Sequence, residues 1–443
     1  MKTVVLIAPH FFPSFQASVH RARLWAYHLH EFGWRPVIVT TDPKYYECQV
    51  DDELLSLLPD DLRVVRVRAL PTKPIRLIGN LGFRSVFWYY RAVRDLAATE
   101  KIDFVHITCD SFPASLAGPL VQRFLNIPYG IDYQDPWIPE TPSRHRFFSK
   151  AWLAQRVSAF LEPIAVRSAR LITGINEKYF ASVLRRNPHL LSRAEAAGMP
   201  FGSSDLDFKR LAEHPRKLFL FDPDDGNMHL LYAGALLPQA HGVLERLFAA
   251  INLIRERNPG LASRLRLHFV GTGIHESDST RGHTVTPYIQ KWGLESIVDE
   301  MPSRIKYLDV LAHLAASTAI LVVGSIEKHY SPSKIYQGVL SKRPVFALLH
   351  EESSALAVLQ GSNAGEAFVF REDRLPDVAE LSNRLEGFLI QPQYDPRDVN
   401  WSAFDKESAR ESTRLLANAM DRALDRHHGT HGGSQAGAGG KTA

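Results

Sequence analysis

The sequence predicts an α/β protein with two Rossmann-like, doubly wound parallel-sheet domains that face a cleft. Short apolar runs alternate with helical patterns twice along the chain, and a stretch without periodicity separates the two series. The 443 residues also exceed what one small hydrophobic core accommodates. The apolar runs are continuous rather than alternating, which is typical of parallel strands that helices cover on both faces.

The first series begins at the N-terminus. Its predicted strands are TVVLIAP, RPVIVTTD, LRVVRVRAL, IDFVHIT, IPYGIDY and ARLITGI. Helical patterns lie between them at residues 17–32, 84–99 and 112–125, and Gly33 is suited to end the first helix. The series predicts an N-terminal domain over residues 1–200.

The stretch that follows is rich in Pro, Gly, Asp and Ser, and it predicts a linker over residues 201–226. The second series gives the strands HLLYAGALL, RLRLHFVGTG, IVDEMP, AILVVGS, RPVFALL and EAFVF, with a helix at residues 241–257. It predicts a second domain over residues 227–395. A C-terminal helix within residues 396–426 is expected to pack back across the domains, and residues 427–443 form a low-complexity, disordered tail.

The composition excludes several function classes. A net charge of +4 without a basic motif interleaved with stacking aromatics argues against nucleic-acid binding. Two cysteines form neither a disulfide framework nor a zinc site, so a reducing compartment is expected. No apolar run approaches the roughly 20 residues of a membrane span. The apolar start lacks a small-residue cleavage site and predicts a first strand rather than a signal peptide. We expect a cytoplasmic protein, at most lying at the inner face of a membrane.

Ligands of open parallel sheets bind beyond the carboxyl ends of the strands, so the loops there are the candidate sites. In the N-terminal domain these loops contain His10, Phe12, Ser14, His20, Arg21, Asp110 and Asp135. The first loop lacks G-x-G-x-x-G, which argues against a dinucleotide site. The histidines could also be ordinary residues of a surface or helix start. Asp135 precedes a proline and could bind sugar hydroxyls or only cap a turn.

The C-terminal domain offers Gly271 and Gly273 after one strand, Arg304 ahead of a helix, and the stretch SPSK after another strand. Ser331 is expected to be an N-cap and Pro332 the first helical residue. The free N–H groups of that helix, with Ser333 and Lys334, would bind a diphosphate. The alternative is an ordinary capped helix with a solvated lysine. Gln337 and Tyr336 would lie near the nucleoside.

These motifs resemble the two-Rossmann (GT-B) glycosyltransferases, particularly the retaining family 4 type, over nearly the whole chain. The residues that match in order are APHFFPSFQASVHRARLW, IDFVHIT, IPYGIDYQDPW, LITGINEKYF, MPFGSSDLDF, LLYAGAL, LHFVGTG and PSKIYQGVLSKRPVFAL. The last segment is the most specific. The two donor-site glutamates of the family are replaced by His329 and Gln337, and the acceptor-domain histidine of many relatives aligns with Gln134.

The resemblance implies a hexosyltransferase that moves a sugar from a nucleotide diphosphate sugar to a glycan or lipid-linked acceptor with retention, in surface polysaccharide synthesis. It requires no cofactor besides that co-substrate, and no metal. The expected catalytic residues are His10, Asp135 and Lys334. Donor binding is expected from Arg304, Gly271, Gly273, Ser331, Ser333, Lys334, Tyr336 and Gln337, and acceptor binding from Phe12, Ser14, His20, Arg21 and Asp110. The alternatives are a catalytically weak partner subunit that binds a nucleotide sugar or glycan, and a nucleotide-sugar epimerase, for which paired carboxylates are missing.

One segment suggests a membrane contact. Its basic residues are Arg144, Arg146, Lys150, Arg156, Arg167 and Arg170, against the single acid Glu162, with aromatic and aliphatic residues between them. A basic amphipathic helix of this kind can lie on an anionic membrane surface. It can equally cover a sheet and expose a solvated basic face. Pro163 is expected to kink or divide it.

Overall fold

A computed structural model describes residues 1–72, 79–138, 149–273, 282–328 and 330–432 of the chain. The described residues therefore do not include Arg144, Arg146, His329 or most of the expected tail. The chain divides into two compact units. Unit 1 comprises Met1–Gly202 together with the chain from Ala409 onward, and unit 2 is the continuous segment Ser203–Ser408.

Unit 1 is built on a parallel sheet of seven strands in the order β3-β2-β1-β4-β5-β6-β7. The strands are β1 Lys2–Ile7, β2 Trp34–Thr41, β3 Arg63–Val67, β4 Phe104–Cys109, β5 Tyr129–Tyr133, β6 Leu171–Gly174 and β7 Glu195–Gly198. Its central strands are buried on both faces: Val4 through Ile7 are each 0% exposed. Such burial explains why these strands read as unbroken apolar runs.

The helices of unit 1 follow the strands and cover the sheet. They are α1 Val19–His28, α2 Leu81–Ala97, α3 Ala117–Leu125, α4 Lys150–Val166, α5 Lys178–Arg186 and α6 Leu190–Arg193. Short 3₁₀ turns occur at Leu29–Phe32, Pro43–Tyr45, Asp52–Leu57 and Phe112–Leu116. Gly33 ends the first of these turns at φ 79°, a left-handed conformation that glycine adopts without a steric cost, as the sequence predicts.

Unit 2 contains a parallel sheet of six strands in the order β10-β9-β8-β11-β12-β13. The strands are β8 Met228–Ala233, β9 Leu265–Val270, β10 Val298–Met301, β11 Ala319–Val323, β12 Val345–His350 and β13 Gly365–Phe370. The helices are α7 Leu206–Glu213, α8 His241–Arg257, α9 Pro259–Ala262, α10 Thr286–Trp292, α11 Tyr307–Ala316, α12 Lys334–Leu340, α13 Ser354–Ser362, α14 Val378–Ile390 and α15 Trp401–Phe404. Two more 3₁₀ turns are Pro238–Ala240 and Asp405–Glu407.

The last helix, α16 Ala409–Gly432, belongs to unit 1. It packs against α1, β6 and β7. Its buried side chains recur at helical spacing and include Leu416, Met420 and Ala423, each no more than 1% exposed. At the helix start, Ser412 accepts a hydrogen bond from the indole N–H of Trp25 and donates one to the carbonyl of Pro200.

The predicted fold class, two doubly wound parallel-sheet domains, is confirmed by the two sheets. Three local expectations differ from the structure. Strand β7 was not expected, because its short, alanine-rich sequence carries no β signal. Pro163 lies inside α4 without dividing it. The C-terminal segment is broken into α15, a 3₁₀ turn and α16, and the helix continues to Gly432, past the expected start of the tail.

Candidate functional site

Each sheet has one point where the strand order reverses. In unit 1 it lies between β1 and β4, and in unit 2 between β8 and β11. At such a point the loops that leave the carboxyl ends of the two strands run in opposite directions and open a crevice for a ligand. The residues after β1, β4, β8 and β11 are therefore the candidate ligand-binding residues.

His10 and Asp110 meet at the switch point of unit 1. The Nδ1 atom of His10 lies 2.7 Å from Oδ2 of Asp110, and the main-chain N–H of His10 donates to the same oxygen at 3.3 Å. The two side chains are 13% and 6% exposed. Oδ1 of Asp110 is buried and has no hydrogen-bond partner within the described part of the chain. The contact fixes the imidazole ring and directs the Nδ1 side toward the carboxylate, which leaves Nε2 for other partners.

Phe12 and Ser14, expected on the acceptor side, point into unit 1. They are 1% and 0% exposed, and the Ser14 hydroxyl lies 3.3 Å from the sulfur of Cys48. His20 is half-buried, and its ring meets the edge of Phe12 at a centroid distance of 5.3 Å. These residues support the loop after β1 from the interior of unit 1 and do not present polar groups at the surface of that loop.

Arg21 lies in the interior of unit 1 and is 0% exposed. Its guanidinium forms a two-pronged ion pair with Asp132, at 2.8 and 3.1 Å, and donates to the carbonyl of Pro200 at 2.8 Å. Thr173 donates to the same carboxylate at 2.7 Å and lies 3.2 Å from Nε2 of His106. Burial lowers the pKa of His106 to about 4. Arg21 is therefore committed to this interior network and is not exposed to an acceptor.

Asp135 follows β5 and is exposed. Since β5 pairs with β4 in parallel, Asp135 lies at the same edge of the sheet as Asp110, one strand further from the switch point. Gln134, beside it, is 6% exposed. Its amide nitrogen is buried without a hydrogen-bond partner among the described residues, so the loop after β5 holds an unsatisfied donor.

In unit 2 the switch point is occupied by Lys334. The Nζ atom lies 3.5 Å from the carbonyl oxygen of Ala235, just after β8, and 3.8 Å from the ring centroid of Tyr232. No carboxylate among the described residues pairs with this ammonium. Burial lowers the pKa of Lys334 to about 7. A half-buried cation without an anionic partner favours an anionic ligand, because the ligand would replace the lost hydration.

Two glycines bring the main chain close to two basic side chains at this edge. A Cβ atom on Gly234, at φ 123°, would stand 3.4 Å from Cε and 3.5 Å from Nζ of Lys334. A Cβ atom on Gly271, at φ 72°, would stand 3.4 Å from Cγ of Arg304 and 3.8 Å from the Cα atom of Gly234. These contacts place the loops after β8 and β9 beside the side chains of Lys334 and Arg304.

Glu300 holds the loop that contains Gly271 and Gly273 in place. Its side chain is 0% exposed and accepts hydrogen bonds from the Thr272 hydroxyl, from the N–H of Val285 at 3.1 Å and from the N–H of Thr286 at 2.7 Å. Burial alone would raise the pKa of Glu300, but hydrogen bonds from Thr272 and Thr286 lower it below its ordinary value. Gly273 adds a main-chain hydrogen bond to the Pro302 carbonyl at 3.1 Å.

The SPSK stretch differs in detail from its prediction. The helix α12 begins at Lys334 with Ser333 before it, and Ser333 makes no side-chain cap. Ser331, expected as the N-cap, instead receives a hydrogen bond from the Ser354 hydroxyl at 2.8 Å. Because α12 has only seven residues, its dipole is weak, and the positive charge at this site rests on Lys334 and Arg304.

Tyr336 and Gln337 follow in the first turn of α12. Tyr336 is 2% exposed, and its hydroxyl donates to Glu407 at 3.4 Å. Burial raises the pKa of Glu407, despite this hydrogen bond. Gln337 is half-buried, and its amide makes no hydrogen bond with the described residues. It is therefore available to a ligand, whereas Tyr336 is committed to the interior.

Comparisons with known proteins agree with this architecture. Residues 18–188 match the family model of the glycosyl transferase 4-like domain. Sequence comparison with curated proteins finds no match. Among solved structures, a sucrose-phosphate synthase from Thermosynechococcus elongatus superposes with a TM-score of 0.57 at 14% identity, over 99% of this chain and 100% of that one.

An α,α-trehalose 6-phosphate synthase from Burkholderia multivorans gives a TM-score of 0.59 at 13% identity, with 100% of this chain and 99% of that chain covered. The structure of Anabaena HepE in complex with UDP-glucose gives a TM-score of 0.55 at 14% identity, with 97% of this chain and 100% of that chain covered. The chain has the GT-B fold. The resemblance read from the sequence is thereby confirmed at the level of the GT-B architecture.

The sequence reasoning missed two residues that the structure places at the carboxyl-end edge of the unit 2 sheet. Gly234 follows β8 directly. Glu300 lies in β10, and its side chain accepts a hydrogen bond from Thr272 in the loop after β9. A glycine that directly follows a buried strand was a usable signal, because a close approach of the main chain is the common reason for it. Glu300 gave no signal, because its partners at residues 284–286 are distant in sequence.

Within the described ranges, no group of three or more His, Cys, Asp or Glu side chains is arranged to hold a metal ion. The helices of that same part of the chain also include none that combines the length and apolar character of a membrane crossing.

Proposed function

We propose that this GT-B protein is a glycosyltransferase that binds a nucleotide diphosphate sugar in unit 2 and transfers the sugar, with retention, to a glycan or lipid-linked acceptor. The observation that carries the proposal is Lys334, a half-buried ammonium without a carboxylate partner among the described residues, at the switch point of a Rossmann-like sheet. The glycosyl transferase 4-like match in unit 1 and the GT-B fold support it.

The residues at the carboxyl-end edge of the unit 2 sheet, called here the donor-side edge, suit the departure of a diphosphate. Lys334 and Arg304 would neutralise the charge that develops on the leaving oxygens, and the backbone at Gly234 and Gly271 allows close approach. Gln337 would hydrogen-bond the ribose or the sugar as a neutral group. On the acceptor side, His10, held by Asp110, would position or deprotonate the acceptor hydroxyl, and Asp135 would bind acceptor hydroxyls.

Calorimetric titration with UDP, GDP, dTDP, CMP and ADP tests the donor site. Lys334→Met keeps the length of the side chain and removes its charge, so we expect about a tenfold to hundredfold loss of affinity for the nucleotide that binds, from the lost charge-assisted hydrogen bonds. Lys209→Met, which removes an exposed cation of the same unit, should bind like the wild type. Equal affinity in the Lys334→Met variant would contradict the assignment.

A second candidate is a catalytically weak subunit that binds a nucleotide sugar without transferring it. Gln337 favours it, because an amide stands where the resembling enzymes carry a carboxylate, and an amide cannot offset positive charge at the sugar. Product analysis separates the two. Release of nucleotide diphosphate from the bound nucleotide sugar, lost in His10→Gln while nucleotide affinity is kept, supports the enzyme. Binding without any release supports the weak subunit.

A further inference from the structure

The outward face of α4 carries a continuous apolar stripe, formed by Leu153, Val157, Phe160 and Ile164 and called here the α4 stripe. These four side chains are 57%, 40%, 71% and 41% exposed. At about 100° per residue they fall within a sector of about 60° on the helix. The spacing of 4, 3 and 4 residues is that of a core-facing stripe, yet it faces outward.

The opposite face of α4 is anchored, which fixes the direction of the stripe. Glu162 is 0% exposed and accepts from Nε and Nη2 of Arg186 at 2.8 and 2.6 Å, and Asn187 donates to it at 3.3 Å. Ala165 and Val166 are buried beside it. On a helical projection Glu162 stands about 170° from the centre of the stripe. The stripe therefore cannot turn inward without breaking a buried ion pair.

Basic side chains border the α4 stripe. Lys150, Arg156 and Arg167 are exposed, at about 50–70° from its centre, with Lys150 on one side and the two arginines on the other. The guanidinium of Arg156 lies 5.3 Å from the ring of Trp152. Glu162 is the single acid of α4, and it is buried. An apolar stripe bordered by positive charge, with no exposed acid on the helix, matches an anionic lipid surface.

We propose that the α4 stripe binds the surface of an anionic membrane, with its apolar side chains at the boundary of headgroups and acyl chains and the basic residues against lipid phosphates. The helix lies in the plane of the membrane rather than crossing it. This contact lies outside the donor-side edge, so it stands whether or not the proposed function holds. A lipid-linked acceptor, if that part of the proposal holds, would be presented at the same surface.

The dimensions of the stripe argue against a second copy of the chain as the occupant. The stripe spans the 12 residues from Leu153 to Ile164, or about 16 Å, on a single helix. Such a strip buries far less than the roughly 800 Å² per partner of a stable protein interface. Two copies would also bring the same basic residues together, whereas a lipid surface with negative headgroups attracts them all.

Vesicle flotation tests the proposal. The probes are vesicles of phosphatidylcholine alone and of phosphatidylcholine with about a third phosphatidylglycerol, at low and at physiological salt. We expect the full chain to bind the anionic vesicles, more strongly at low salt, and to bind the neutral vesicles weakly. Phe160→Ser should weaken binding about tenfold, and Arg156→Glu should weaken it mainly at low salt.

Ile390→Ser, which removes an exposed aliphatic side chain of unit 2, is the matched control and should bind vesicles like the wild type. Circular dichroism and an unchanged urea denaturation midpoint, both without vesicles, establish that the Phe160→Ser variant is folded. No flotation of the wild type at low salt, or equal flotation of Phe160→Ser, overturns the proposal, as does a dimer on gel filtration that Phe160→Ser dissociates. Flotation with no nucleotide binding would contradict only the proposed function.

Discussion

At the scale of single residues, the environment of Lys334 decides how ligand binding depends on pH. Burial lowers its pKa from 10.5 to about 7, so the ligand-free protein loses the ammonium proton as the pH rises through 7. The unfolded chain keeps that proton up to about pH 10.5. The contribution of this group to stability therefore becomes more favourable as the pH rises from about 7 to about 10.5, because the cost of a buried charge disappears.

A bound diphosphate favours the charged form of Lys334, so it raises the pKa of Lys334 and binding takes up a proton above about pH 7. We expect the affinity for the nucleotide to fall by up to about tenfold for each pH unit above 7, and to level off below 7. Calorimetry at about pH 8 in two buffers of different ionisation enthalpy measures the proton uptake. Uptake that persists in Lys334→Met would assign it to another group.

The buried pair of Arg21 and Asp132 gives a prediction about stability. Asp132→Asn leaves the guanidinium of Arg21 in the interior without its counter-charge, which costs about 3–5 kcal/mol of the free energy of unfolding. Urea denaturation followed by fluorescence reports it, because Trp25 lies against Arg21 at 4.5 Å. Asp61→Asn, on the surface, is the control. An unchanged denaturation midpoint would show that the pair contributes nothing net.

These residues also mark the limit of sequence reasoning. The position of Lys334 at the edge of a sheet could be predicted, because the residue follows an apolar run. Arg21 could not be assigned to the interior, because the partner that neutralises it lies 111 positions away. A charged residue in a loop pattern is expected at the surface unless a distant carboxylate is known to face it.

At the scale of elements, the loop after β9 is supported by Glu300 of β10. Glu300→Gln replaces a carboxylate oxygen by an amide that faces N–H donors from residues 284–286. We expect a loss of about 2–3 kcal/mol in the free energy of unfolding and a weaker nucleotide affinity, since Gly271 and Gly273 lose their fixed position. Glu295→Gln, at an exposed position, should change neither. Wild-type nucleotide affinity in Glu300→Gln would show that the loop does not need this support.

The pKa of Glu300 is lowered in the folded protein. The contribution of Glu300 to stability is therefore present at pH values above the ordinary pKa of 4.5 and is lost as the pH falls below 4.5.

The element patterns explain which parts of the fold were predictable. Long apolar strands and the helix at residues 241–257 were read directly from periodicity. β7 and the start of α12 were not, because both are short and their form is set by neighbours such as Ser354.

At the scale of the whole molecule, unit 1 is assembled from two separated parts of the chain, while unit 2 is continuous. We expect a chain that stops after Ser408 to lose the folded state of unit 1, because the surface of α1 and the indole of Trp25 that α16 covers would be exposed. Unit 2 should keep its nucleotide affinity. Limited proteolysis with mass spectrometry, beside calorimetry, measures both.

A chain that stops after Gly432 keeps α16 and serves as the control for this truncation. Resistance of unit 1 to proteolysis in the shorter chain would show that unit 1 folds without α16.

The GT-B architecture itself was predictable from the two alternating series, but the membership of α16 in unit 1 was not. The amphipathic pattern of α16 indicates that one face of the helix is buried, but it does not identify the surface against which that face packs.

The divided construction of unit 1 also bears on how the protein is made. A ribosome produces the seven strands of unit 1 first, then all of Ser203–Ser408, and only afterwards the helix that covers α1. At about 5–20 residues per second, the delay is roughly 10–40 s. During that interval unit 2 has every residue it needs, and unit 1 does not. The half of the molecule that is synthesised first is therefore the half that matures last, and the nascent chain exposes the α1 surface to chaperones for that time.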